Sequence, residues 1–114
     1  MTTARGTRQA AARIRRTKGH AFVRGRVWFA MRTLRTFRLS ELVAVAEAPS
    51  RDSVQTFLSL LRRAGYIHPR HLNRGKHEET VFTLVRNTGP LCPAVLNRGK
   101  AVWDYNTETE YSTQ

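Results

Sequence analysis

The sequence predicts a mainly α fold with a small β-hairpin, an α+β domain of three helices. Three observations predict it. Apolar residues recur at spacings of three and four from about Arg24 to Leu61, the period stops at Gly65, and two β-prone runs, Tyr66 to Arg70 and Thr80 to Val85, follow on either side of a polar loop.

The first helix is expected from about 24 to 37, where Val27, Trp28, Met31, Leu34 and Phe37 make one apolar stripe. Ser40 is the expected N-cap of a short second helix carrying Leu42, Val43, Val45 and Ala46, which ends near Ala48 because the residue before Pro49 avoids the helical region. Ser50 caps a third helix whose buried stripe is Val54, Phe57, Leu58 and Leu61, with Gly65 supplying the left-handed position that closes it. Leu60 falls off that stripe, beside Arg62 and Arg63, and so awaits cover from the arm or a partner. In the hairpin, Pro69 cannot donate to a central ladder, which puts the first strand at an edge.

The 114 residues allow one domain with tails, and we divide them into a basic, disordered arm (1–22), a folded unit (23–86) and an extended C-terminal segment (87–114) ending in a mobile acidic tail. Residues 96–100, LNRGK, repeat residues 72–76 letter for letter, which reads as repeated turn chemistry and a second hairpin. Trp103 and Tyr105 are expected to dock the C-terminal segment on the core, while NTETEYSTQ is polar and expected to be mobile. No window of about 18 uncharged apolar residues exists, so no membrane span is expected. A single cysteine, Cys92, and no apolar run after Met1 point to a reducing, cytoplasmic setting.

Charge is the strongest functional signal. Lys and Arg number 20 against 8 Asp and Glu, a net +12, and the excess is uneven. Residues 1–40 hold eleven bases and no acid, whereas residues 41–114 hold nine bases and eight acids. Solvation alone would intersperse both signs, so a polyanionic partner is expected, nucleic acid ahead of a membrane surface. The pairs Arg5-Gly6 and Arg24-Gly25-Arg26 resemble minor-groove AT-hook arms without their proline.

Helix, short helix, tight turn, a longer helix ending LRRAGYI and a hairpin is the order of a winged helix-turn-helix domain. The stretch LSELVAVAEAPSRDSVQTFLSLLRRAGYI resembles bacterial winged-helix regulators of the MarR type, through Val54, Phe57 with Leu58, Leu61 and Gly65. RVWFAMRTLRTFRLSELVAVAEA, FTLVRNTGP and GKAVWDYNTETEY are similar to stretches of small winged-helix proteins of Mu-like transposable phages and prophages. The long flanking dimerisation helices of MarR regulators are missing. This resemblance implies a DNA-binding protein of a bacterial or phage-infected cell, with transcription regulation as its use.

In such a domain the third helix enters the major groove, which nominates Arg51, Ser53, Gln55, Thr56 and Ser59 as base or phosphate contacts. Arg51 can pair bidentately with guanine and Gln55 with adenine, while Asp52 repels phosphate and serves the helix dipole. Arg74 and Lys76 are the wing contacts, weakened by Glu78 and Glu79. Arg5, Arg8, Arg13, Arg15, Arg16 and Lys18 are the arm contacts on the backbone.

Neither enzyme nor cofactor is expected. His68, His71, His77, Glu78 and Glu79 are the one cluster of candidate metal ligands, and their spacing fits no zinc signature. Cys92 lacks neighbouring bases that would make it a nucleophile. The expected partner is double-stranded DNA, with two rival readings: an accessory binder of DNA or RNA with weak sequence preference, and an adaptor whose arm contacts an acidic protein.

Overall fold

Val23–Leu34 forms α1 of the computed structural model, which describes residues 22–70 and 79–114. Val27, Trp28, Ala30 and Met31 are buried on one face, but the helix stops three residues before the expected end. Arg35 turns left-handed (φ 67°) while its N–H still donates to the Met31 carbonyl at 2.8 Å, and this leaves Leu34 37% exposed. Phe37 is buried, as expected, yet it gets there from a strand: Thr36–Phe37 is β1.

Leu39–Ala46 is α2, and its N-cap is Arg38 rather than Ser40. The Arg38 N–H donates to the Glu41 carboxylate at 2.7 Å, the acidic half of a capping box, so Glu41 satisfies the N–H of the N-cap residue itself. Glu47 takes a left-handed conformation (φ 51°) and the Ala48 N–H bonds the Val43 carbonyl at 3.0 Å, closing the helix before Pro49 is reached. Leu42 and Ala46 are buried, whereas Val45 is 54% exposed.

Arg51–Arg63 is α3, capped as expected by Ser50, whose side chain accepts the Ser53 N–H at 3.2 Å. Val54, Phe57, Leu58 and Leu61 are buried. At Gly65 the φ of +88° favours glycine, and an added Cβ would stand 3.0 Å from the Arg86 guanidinium. The Tyr66 N–H then bonds the Leu61 carbonyl at 2.9 Å, and the chain leaves as a strand.

Ile67–Pro69 (β2) and Phe82–Leu84 (β3) pair antiparallel, with Ile67 opposite Leu84 and Pro69 opposite Phe82. The sheet order is β1-β3-β2, because β1 pairs with β3 and the Leu84 N–H bonds the Arg35 carbonyl at 2.8 Å. Pro69 therefore sits on an edge strand, where its missing donor does no harm.

The C-terminal segment is built differently from the extended, mobile tail that its polarity suggests. Ala94–Leu96 (β4), Ala101–Asp104 (β5) and Thr109–Ser112 (β6) form a second antiparallel sheet in that order. The turn Asn97–Gly99 joining β4 to β5 holds three successive left-handed residues, with φ of 51°, 56° and 92°. The second LNRGK copy thus makes a hairpin turn; the first copy lies outside the described residues. β6 pairs along β5 with Val102 opposite Tyr111, so residues expected to be mobile form a strand.

This second sheet shares the core of the helices. Cys92 and Val102 join the same buried cluster as Trp28, Met31, Phe57 and Leu61. The Trp28 indole N–H donates to the Gly89 carbonyl at 3.0 Å, and Tyr66 meets Trp28 and Tyr111 edge-on at centroid distances of 5.7 and 5.6 Å. Leu60 gains its cover here: a Cβ added at Gly99 would stand 3.3 Å from a Leu60 methyl. The described residues form a compact α+β fold of three helices and two small antiparallel sheets.

Candidate nucleic-acid interface

α3 turns its apolar side to the core, which leaves Arg51, Asp52, Gln55, Thr56, Arg62 and Arg63 exposed and Ser59 half-buried. Arg51, Gln55, Ser59 and Arg62 recur at helical spacing, and they line one wall of a cleft of about 400 Å³. Its other wall is Leu39 at the start of α2 with Glu79, Thr80 and Phe82 leading into β3. The fold thus brings three of the nominated residues together and adds Arg62, which lies seven residues after Gln55 and was legible from that period.

Ser53 points elsewhere. It lines a second cleft of about 340 Å³ with Phe22, which precedes α1, and with Arg24 and Val27 of α1. Its N–H donates to the Ser50 hydroxyl and its own hydroxyl donates to the Ser50 carbonyl at 3.1 Å, so its donors serve the helix start rather than a base. Thr56 is exposed and does not line the Arg51–Gln55–Ser59 cleft.

Arg51 is engaged as well. Its guanidinium donates to Glu79 at 2.9 Å, and the Glu79 carboxylate also accepts the Ser40 N–H at 3.2 Å and the Ser40 hydroxyl. These bonds, that of the Ser40 hydroxyl first, hold the Glu79 carboxyl below its ordinary range, against a smaller opposing effect of burial. Ser40, expected to cap α2, instead ties α2 to Glu79, three residues before β3.

The remaining nominated contacts, Arg74 and Lys76 in the wing and Arg5, Arg8, Arg13, Arg15, Arg16 and Lys18 in the arm, lie outside the described residues. The described head-end bases are partly committed to the fold. Arg24 lies 5.1 Å over the Phe57 ring, Arg26 donates to the Ala46 carbonyl at 2.7 Å, and Arg32 donates to the Asn87 side chain at 2.8 Å. Arg24-Gly25-Arg26 is therefore the first turn of α1 rather than part of an arm like that of an AT-hook.

Two buried groups gain their definition only in the folded chain. Asp104 is wholly buried and accepts from the Tyr66 hydroxyl (2.6 Å), the Thr88 hydroxyl (2.7 Å) and the N–H groups of Asn106 (2.8 Å) and Thr107 (3.1 Å). Four donors make it a clasp between the sheets, a use invisible in a sequence where Tyr66 and Asp104 stand 38 residues apart. Burial pushes the Cys92 thiol up to about 12, with Arg24 opposing, which keeps it protonated at neutral pH.

Among the described residues no group of three or more His, Cys, Asp or Glu is placed to hold a metal ion, and no helix is long and apolar enough to cross a membrane. His71, His77 and Glu78 lie outside those residues. Compared with family models, with curated proteins and with solved structures, the chain matches none of them.

Proposed function

We propose that the chain is a winged helix-turn-helix DNA-binding protein, used in phage or bacterial transcription regulation, with α3 in the major groove and the basic arm on the backbone. The observation that carries this reading is the α2–turn–α3 unit. Its two helices are joined by the four residues between Ala46 and Arg51, and α3 presents Arg51, Gln55, Ser59 and Arg62 along one line beside the sheet β1-β3-β2. β1 closing the hairpin into three strands is similar to the wing sheet of such domains. Arg62 joins the positioning contacts to phosphate, and Gln55 is the base-reading residue because its amide can bond adenine at two points.

One observation favours a second reading, an accessory binder of DNA or RNA with weak sequence preference. Arg51 is engaged by Glu79 and Ser53 by Ser50, so two of the five nominated base contacts are held within the free chain. Selection of duplexes from a random pool separates the two. A sequence-reading protein enriches a defined site, and an accessory binder enriches none while still binding duplex, single strand and RNA with steep salt dependence.

A further inference from the structure

Three donors from two helices converge on one carboxylate. Ser40 gives its N–H and hydroxyl from the first turn of α2, Arg51 gives its guanidinium from the first turn of α3, and Glu79 accepts all three. We propose that Glu79 is an internal competitor of nucleic-acid phosphate: it occupies Ser40 and Arg51 in the free chain, and a backbone phosphate displaces it on binding. The proposal rests on the DNA-binding reading above and adds a gate to the same surface.

Its chemistry follows from likeness of charge and shape. A carboxylate and a phosphate diester each offer two acceptor oxygens with a single negative charge, and a guanidinium binds either by the same charge-assisted bonds. The competitor is also displaceable. The Arg51 and Glu79 side chains are 54% and 28% exposed, and an ion pair so placed adds little stability that a phosphate would have to overcome. Glu79 belongs to no helix or strand, so its side chain leaves without breaking a backbone ladder. The carboxylate lines the same cleft as Gln55, Ser59 and Arg62, which puts the exchange inside the proposed interface.

Competition predicts coupling between Glu79 and Arg51. The full chain, Glu79→Gln, Arg51→Ala and the double variant are compared by fluorescence anisotropy on one random-sequence DNA duplex at fixed salt, after thermal melts establish that all four are folded. Glu79→Gln should bind about two- to fivefold tighter than the parent, and the gain should be clearly smaller in the Arg51→Ala background, where only Ser40 is left to unmask. Equal tightening in both backgrounds would mean that Glu79 repels phosphate through space without masking Arg51, and would overturn the competition while leaving DNA binding intact. Weaker binding by Glu79→Gln would also overturn it, by making the carboxylate a support of the binding surface. Absence of binding by all four proteins would overturn the DNA-binding reading itself, and the competition with it.

Discussion

The Tyr66 hydroxyl donates to the Asp104 carboxylate at 2.6 Å and ties the residue that follows Gly65 to the last residue of β5. Both groups are buried, so neither recovers a bond to water if the other is removed. Tyr66→Phe should cost about 1.5–3 kcal/mol in chemical denaturation, the range for a hydrogen bond to a charged group. Burial first, and Asp104 second, push the Tyr66 phenol far above its ordinary value of 10.0. The folded chain therefore favours the protonated phenol: its contribution is complete below pH 10.0 and is lost as pH rises beyond it, when the unfolded tyrosine ionises and the folded one does not. Tyr66→Phe should show a smaller loss of stability across that alkaline range than the parent.

The second sheet is part of the core, so removing residues 87–114 should cost more than a tail would. The shortened chain loses the Gly89 carbonyl that bonds Trp28, the Asp104 clasp and the cover over Leu60. A domain this small has only about 5–15 kcal/mol of net stability, which such losses exhaust. Thermal unfolding followed by near-ultraviolet circular dichroism should show no cooperative transition for residues 1–86. A transition like that of the full chain would contradict the shared core.

Cys92 should resist alkylation. The thiolate is the reactive form, and burial holds the thiol at about 12, so iodoacetamide at neutral pH should label the unfolded chain far faster than the folded one. The thiol's contribution to stability is present below its ordinary value of 9.0 and declines as pH rises from there toward about 12. Equal labelling rates in buffer and in denaturant would place the side chain at the surface.

The arm carries six bases in residues 1–18, and a chain of residues 19–114 should bind duplex DNA with a flatter dependence on salt. For every phosphate that the arm neutralises, its removal should lower the slope of log affinity against log salt by about 0.9. Titrations of the two chains on one duplex over a salt series measure it, and an unchanged slope would show that the arm does not touch the backbone.

What the sequence disclosed was local. The α3 stripe, the Ser50 cap and the Gly65 stop depend on residues within a few positions of each other, and periodicity reads such neighbours well. β1 escaped because two residues hold no alternation, and its partner in β3 is 47 positions away at Thr36 and Thr83. In β6 the alternation was present, with Thr109 and Tyr111 half-buried between exposed Glu110 and Ser112, but polar composition hid a strand whose stability comes from pairing with β5. The Glu79 bond to Arg51 spans 28 positions, and no spacing rule reaches so far. Ser40 misled because serine is a favoured cap residue, whereas the helix already begins at Leu39 and the extended Arg38 holds the N-cap place.

The central claim is that α3 reads bases, and it is tested most directly by Gln55→Ala on two duplexes, one selected from a random pool and one of random sequence. Gln55 is exposed on the α3 line and is free of the ion pair that engages Arg51, so its removal reports on readout rather than on the Glu79 gate. Base reading by α3 predicts a loss of about 1–3 kcal/mol on the selected duplex with little change on the random one. Equal losses on both would contradict it, and so would failure of the parent chain to enrich any site.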